Sequence, residues 1–450
     1  MVPPRRRSRR SQVSRQPHHH QHRPVPTEGQ LRWQQNGFGV FFHFGVNTFA
    51  GKEWSDGTLP AASFDPSDLD VRQWVRVAAS IGAGYVILTA KHHDGFCLWP
   101  TSTTDYSVAS SPWQDSHGDV VAELAAACRE AGLGLGLYLS PWDRHAPEYA
   151  DEARYAEVYA RQLTELCTNY GELVELWFDG AGSEGYTYDW PGISAIIERL
   201  QPQAMVFNMG APTIRWVGNE NGLAEDPVRY VVDHTDFSNY TVVTSRFEEA
   251  LYLPPECDVS IRRGWFWHPD DEPKSVEHLL AIFYRSVGLG ANLLLNLPPD
   301  TRGLLPDADV ERVTAWAAER DRRFAQPIPG TLTTDGSTAT VTFAEPVTFD
   351  HLRLHENLTA GQLIDRHEVR TPDGRTLVEA GSVGVSRVHV FEPVTTDRLT
   401  IALVPDVTDD AGRPAEAPVP MLLAVTALHT GSSTVPELPV GYEAPTDAPD

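Results

Sequence analysis

From Phe38 to Arg323 the chain alternates short, nearly continuous apolar runs with amphipathic stretches, and few folds accept that pattern. The runs are FGVFFHFGV, YVILTAKHH, GLGLYLS, LVELWFD, AMVFN, RYVVDH, ECDVSI and ANLLLNL. Each has the length of a strand, and a strand without a polar face is one buried on both sides, as in parallel sheets. Between them LDVRQWVRVAASIG, DVVAELAAACREAG, ARYAEVYARQLTELCTNYG, ISAIIERL and SVEHLLAIFYRSVGLG carry apolar residues at helical spacing, and several close on Gly. Parallel strands with covering helices give an α/β fold, most economically a closed (β/α) TIM-like barrel over 31–325.

Beyond Gln326 the helical pattern stops. TATVTFAEPVTFDHLRLHE, SRVHVFEPVTTDRLTIALV and MLLAVTALHTG alternate apolar and polar residues, which predicts a C-terminal β-sandwich over 326–431. Residues 432–450, rich in Pro, Thr and acidic side chains, read as a flexible tail. Residues 1–30 contain RRRSRRSQVSRQPHHHQHRP, basic and without an apolar segment, and read as a disordered tail whose His cluster has no assigned role.

The 36 basic residues face 61 acidic ones, and a formal net charge of -25 opposes nucleic acid and anionic membrane as partners. A neutral ligand is expected. A secretory signal needs an apolar stretch of about 7–15 residues after its positive region, and none precedes Leu31. No run has the length of a membrane span. Cys97, Cys128, Cys167 and Cys257 lack CxxC spacing, which suits free thiols in a reducing compartment, so a cytoplasmic location is expected.

In such barrels the loops after the strands build the pocket, so polar residues at strand C-termini matter most. LVELWFDGAG ends its strand on Asp179, which would face the barrel mouth; a strand-terminal Asp is also a common turn former. His43 closes FGVFFHFG, and His92 and His93 close YVILTAKHH. Three imidazoles at one mouth could ligate metal, serve as hydrogen-bonded structural groups, or bind a sugar. HExxH and HxH spacings are missing, and adjacent residues on a strand point to opposite faces, which weakens the metal reading. A sugar needs a fixed array of donors and acceptors over an aromatic floor, and Trp54, Tyr138, Trp142, Trp177 and Trp265 could supply the floor. Retaining glycoside hydrolysis needs a carboxylate nucleophile and a second carboxyl as acid/base. With Asp179 as the first, IRWVGNENG offers Glu220 beside Trp216, where partial burial would raise its pKa for acid work. Glu256, in PPECDVSIRRGWFWH, is the main competitor.

The segments FGVFFHFGVNTF, KEWSDG, LTAKHHDGFCLWPT, GLGLYLSPWD, LWFDG, WVGNENG and ANLLLNLPPD follow one another between Phe38 and Asp300. In that order the region resembles the family 29 α-L-fucosidases, and KHHDGF together with LWFDG is the specific combination. The resemblance implies a double displacement through a covalent fucosyl-enzyme, with Asp179 as nucleophile and neither metal nor other cofactor. It implies fucose contacts for His43, Glu53, Trp54, His92, His93, Tyr138 and Trp177, to which the aromatic-floor argument adds Trp265. WVGNENG is similar to the branch acting on α-1,3 and α-1,4 fucosyl linkages, which implies Glu220 as acid/base and a fucosylated oligosaccharide or glycoconjugate as substrate. The C-terminal region resembles the accessory sandwich that follows the barrel in this family. Two other classes stay open: a noncatalytic fucose-binding protein, and a metal-dependent barrel hydrolase using His43, His92 and His93.

Overall fold

In the computed structural model, which describes residues 23–236, 244–405 and 419–442, the apolar runs become the staves of a barrel. The chain runs α1 (Glu28–Asn36), β1 (Phe38–Phe42), α2 (Val46–Ala50), α3 (Val71–Ser80), β2 (Tyr85–Lys91), α4 (Val120–Ala131) and β3 (Gly134–Leu139). It continues through α5 (Glu152–Asn169), β4 (Glu175–Trp177), α6 (Trp190–Leu200), β5 (Met205–Phe207), β6 (Arg215–Trp216), β7 (Val231–Asp236) and β8 (Thr244–Tyr252). Then come β9 (Pro255–Ser260), α7 (Val276–Arg285), β10 (Asn292–Asn296) and α8 (Asp307–Phe324). Eight strands pair in parallel in the order β5-β4-β3-β2-β1-β10-β9-β6, and a bridge between Phe207 and Ile214 brings the two ends together. The expected helices form where side chains cap them: Asp70, Asp119 and Ser275 accept from the first-turn amides of α3, α4 and α7.

Alternation along each stave sends its residues to two different cores. Val40, Phe42, Val86, Leu88, Leu137 and Leu295 pack outward beneath the helices. Phe41, Tyr85, Ile87, Tyr138, Trp177 and Phe207 fill the barrel interior. The interior needs room for Tyr85, and Gly39 provides it, since a Cβ there would lie 2.5 Å from the tyrosine ring. Helix α1 plugs the floor: Trp33 Nε1 donates to Glu175 Oε2 at 2.9 Å, and Gln30 Nε2 to the carbonyls of Thr213 and Tyr252 at 2.7 Å.

One stave differs from expectation. RYVVDH does not line the barrel; β7 pairs antiparallel with β8 in a separate hairpin, and the sixth stave is the two-residue β6. A stave must bury both faces, whereas Val231 and Val232 are only half-buried and Asp233 is exposed. The link from β5 to β6 spans only 208–214, too short for a covering helix, and turns at Asn208 with φ 61°, a left-handed conformation that Asn tolerates.

The C-terminal strands β11 (Thr331–Asp335), β12 (Thr338–Glu356), β13 (Ile364–Arg370), β14 (Thr376–Ala380), β15 (Arg387–Pro405) and β16 (Leu422–Leu428) pair antiparallel. Register breaks at Thr342/Val347 and Phe349/His351 bend β12 about a core of its own that includes Val341, Phe349, Leu352, Leu399 and Ile401. Arg387 reaches back to Asp226 with two hydrogen bonds of 2.7 and 2.8 Å, and Tyr284 Oη lies 2.7 Å from His351 Nε2.

Of the two stretches read as tails, 1–22 and 443–450 lie outside the described residues. The remainder makes contacts with the barrel. Thr27 caps α1, which begins inside the first stretch. Within the second, Pro436 accepts a hydrogen bond from Arg285 at 2.8 Å and Leu438 packs against the barrel. No helix among the described residues is long and apolar enough to cross a membrane.

Candidate active site

Strand alternation brings Glu175, Trp177 and Asp179 to the same face of β4 and its extension, so Asp179 rises to the mouth from a buried aromatic floor. Trp177 stacks between Phe207 (centroids 4.0 Å apart) and Tyr138 (5.3 Å). Asp179 Oδ2 accepts from Tyr138 Oη at 3.1 Å, and Oδ1 from the Ala181 amide at 2.9 Å. His93 Nε2 stands 3.6 Å from Oδ2, too far for a hydrogen bond, and leaves both atoms available to a ligand. The Asp179 side chain keeps 26% of its surface exposed while its neighbours are buried, so it is the open point of the floor.

His92 and His93 do not diverge. Their rings lie 4.3 Å apart because β2 ends at Lys91, and strand alternation ends with it. Lys91 itself is buried and held by Asp143 Oδ2 at 2.9 Å, with Tyr155 Oη and Gln162 Oε1 at 3.0 Å, which fixes the strand end. Ser140 Oγ donates to the Trp142 carbonyl at 2.6 Å and therefore accepts from His93 Nδ1 at 2.7 Å, leaving Nε2 as the acceptor. His92 stacks on Tyr138 at 5.6 Å, and its Nδ1 has no hydrogen-bond partner.

His43 follows β1, and Asn296 at the end of β10 orients it. Asn296 Nδ2 donates to Ser260 Oγ (3.0 Å) and the Trp265 carbonyl (2.8 Å), so its Oδ1 receives the His43 amide and Nδ1. Burial pushes His43 down to about 3 and His93 to about 4, and holds His92 well below the usual imidazole range. The three rings are neutral at neutral pH and present fixed donors and acceptors rather than charge.

Trp54 and Trp142 wall one side, 5.4 and 5.2 Å from the His93 ring, and Trp265 faces His43 at 5.0 Å. Glu53 belongs to the wall in another way: its Oε2 accepts from the amides of Trp265 (2.7 Å) and Phe266 (3.3 Å), holding that loop in place. Sequence reasoning passed over Asn296, Ser140 and Phe266. Asn296 had a legible signal, being the polar end of an apolar stave.

The two candidate acids separate by height in the barrel. Glu256 opens β9 and sits at the floor, fully buried, accepting from Tyr85 Oη and from Trp177 Nε1 at 3.2 Å. Glu220 lies, half-buried, in the loop that leaves β6 at the mouth. That loop returns to β9 through a bridge between Asn221 and Val259, and Asn219 Oδ1 accepts from the amides of Asn221 (3.1 Å) and Leu223 (3.3 Å).

A pocket of neutral imidazoles and indoles around one open carboxylate has the makings of a sugar site, and comparison with known proteins gives it a family. The family model described as alpha-L-fucosidase matches residues 59–318, more than half of the chain. The chain belongs to the α-L-fucosidase family. It is similar to alpha-L-fucosidase 1 of Arabidopsis thaliana, 45% identical over 313 residues that cover 67% of this chain and 61% of that protein. The chain therefore spans less than two-thirds of that relative's length. A solved glycoside hydrolase 29 family member from an unknown rumen bacterium superposes with a TM-score of 0.81 at 34% identity, covering 93% of this chain and 80% of that one. A GH29 fucosidase of Ruminococcus gnavus, solved in complex with fucose, gives a TM-score of 0.78 at 28% identity over 90% of this chain and 95% of that one. These likenesses extend through the C-terminal strands, beyond the span of the family model.

Proposed function

We propose that this fucosidase-family chain hydrolyses terminal α-linked L-fucose from fucosylated oligosaccharides or glycoconjugates with retention of configuration, acting on α-1,3 and α-1,4 linkages. The observation that carries this reading is Asp179, a carboxylate aimed into the pocket by Tyr138 and the Ala181 amide and surrounded by neutral hydrogen-bonding rings. Asp179 attacks the anomeric carbon as Glu220 protonates the departing oxygen. Glu220 then takes a proton from water, which releases fucose from the covalent fucosyl-enzyme. His43, His92 and His93 hold sugar hydroxyls, Trp54, Trp177 and Trp265 bound the apolar faces, and Glu53 keeps Trp265 seated. Four buried free thiols support the cytoplasmic location expected from the cysteines.

Hydrolysis of an aryl α-L-fucoside followed by NMR tests the reading, with α-fucose expected as the first product. Inversion, or binding of fucose without turnover, defeats it. Parallel release of fucose from α-1,2, α-1,3 and α-1,4 linked oligosaccharides tests the linkage. In a ligand complex the Asp179 and Glu220 carboxyls should stand about 5–5.5 Å apart, the separation a retaining enzyme needs.

A further inference from the structure

The β6 stave is the least supported part of the barrel, and the Glu220 loop hangs from it. It has two residues, no helix precedes it, and its amide at Arg215 donates to the Pro254 carbonyl at 3.1 Å. Side chains make up for the short ladder. Asn208 Oδ1 accepts the Trp216 amide at 3.1 Å, and Asp258 Oδ1 accepts Trp216 Nε1 at 2.7 Å. Asp258 lies on the inner face of β9 between Glu256 and Ser260, only 2% exposed. It is not assigned a part in the chemistry above. Its hydrogen bond and the Asn221–Val259 bridge grip the loop from both sides, and both grips belong to one strand, β9.

We propose that Asp258 is a positioning residue which, through the Trp216 indole, sets the height and angle from which Glu220 reaches the leaving-group oxygen. The proposal rests on the reading of Glu220 as acid/base. Burial, with Glu256 and Asp179 adding to it, pushes the Asp258 carboxyl up to about 8, which favours the neutral acid as the acceptor of the indole N–H. An amide of the same shape can do the same. This distinguishes positioning from a need for negative charge.

The test measures kcat/KM on a dinitrophenyl fucoside, whose leaving group needs little protonation, and on a phenyl fucoside, which needs much. Asp258→Ala should lose about 10-fold more on the phenyl substrate than on the dinitrophenyl one, a fraction of the 10²–10⁴-fold that general acid catalysis supplies. Asp258→Asn should stay within about 3-fold of wild type on both, since it keeps the acceptor. Trp216→Phe, which removes the donor and keeps a ring, should show the same leaving-group dependence and decides the matter if Asp258→Ala does not fold. In a Glu220→Ala background, Asp258→Ala should add nothing to the phenyl-specific loss. Equal losses on both substrates, or losses that add to those of Glu220→Ala, overturn the positioning role while the Glu220 reading stands. A Glu220→Ala enzyme with a wild-type leaving-group profile overturns that reading, and this proposal with it.

Discussion

Strands β4 and β9 run side by side in logic though not in space: each sends acidic groups inward at alternate positions, and the groups end up in unlike roles. The β4 series is Glu175, Trp177 and Asp179; the β9 series is Glu256, Asp258 and Ser260. At the floor Glu175 and Glu256 are buried among Trp33, Tyr85 and Trp177. Burial raises both carboxyls, Glu256 to about 7, and the nearby charge of Glu256 raises Glu175 further. Two layers higher, Asp179 faces the opening and accepts two hydrogen bonds. A carboxyl's height in the barrel, set by strand register, decides whether it is floor or mouth.

The sharpest break of this comparison is Asp179→Ala. The mouth carboxylate is expected to carry turnover, so the loss should be at least about 10³-fold, as for other nucleophiles that work as part of a unit. Thermal stability should change little, because the group is partly open to solvent. Azide entering the vacated space should yield the inverted β-fucosyl azide. An enzyme that keeps tens of per cent of its activity would remove Asp179 from the chemistry.

Glu220→Ala should cost about 10²-fold or more on a poor leaving group and far less on an activated one, because Asp179 can still attack. Water then needs a base that is missing, whereas azide does not. Added azide should speed release and give the retained α-fucosyl azide. Should Glu256→Ala give that pattern and Glu220→Ala not, floor and mouth would have exchanged roles.

The floor answers in stability instead. Glu256→Ala strands two buried donors, Tyr85 Oη and Trp177 Nε1, at about 1–3 kcal/mol each. Glu256→Gln keeps an acceptor and should cost about 1 kcal/mol or less. The sign of the pH effect follows from a carboxyl raised in the folded state above its ordinary 4.5. The folded protein holds the proton while the unfolded chain releases it, so stability present below pH 4.5 is lost as pH rises toward 7. Urea midpoints should therefore fall between pH 5 and pH 8, and less steeply in Glu256→Gln. An unchanged slope would remove Glu256 from the titrating floor.

Much of this was legible from the chain alone. Seven of the eight expected staves overlap barrel strands, because residues buried on both faces leave continuous apolar runs. The eighth, β6, was invisible: two residues carry no periodicity, and the hairpin strand β7 imitated a stave with Val231 and Val232. His43, His92, His93 and Asp179 were proposed from their places at strand ends, Glu220 from its loop and Glu53 only from the family resemblance, and the strand-end rule disfavours Glu256, which begins its apolar run. What the sequence hid was lateral support. Asn296 orienting His43, Glu53 holding the Trp265 amide and Asp258 under Trp216 join residues far apart in the chain, and local pattern carries no trace of such pairings.

The smallest expected effect is none at all. Exhaustive chelation should leave activity on an aryl α-L-fucoside unchanged, and added zinc or manganese should not raise it, since two carboxyls and a sugar-binding array suffice for the proposed chemistry. The ring nitrogens fit either reading. His43 Nδ1 is directed to Asn296 and His93 Nδ1 to Ser140, as expected of rings oriented to read hydroxyls. A ligating imidazole also directs its second nitrogen to a partner, so that feature alone does not decide. The carboxylates decide more. Asp179 is turned toward Tyr138 and the Ala181 amide, and Asp94, 4.0 Å from His92, is engaged by Asn47 and the Phe96 amide. Activity lost to a chelator and restored by one divalent ion would mean that the mouth is a metal centre. The floor would keep its role unchanged.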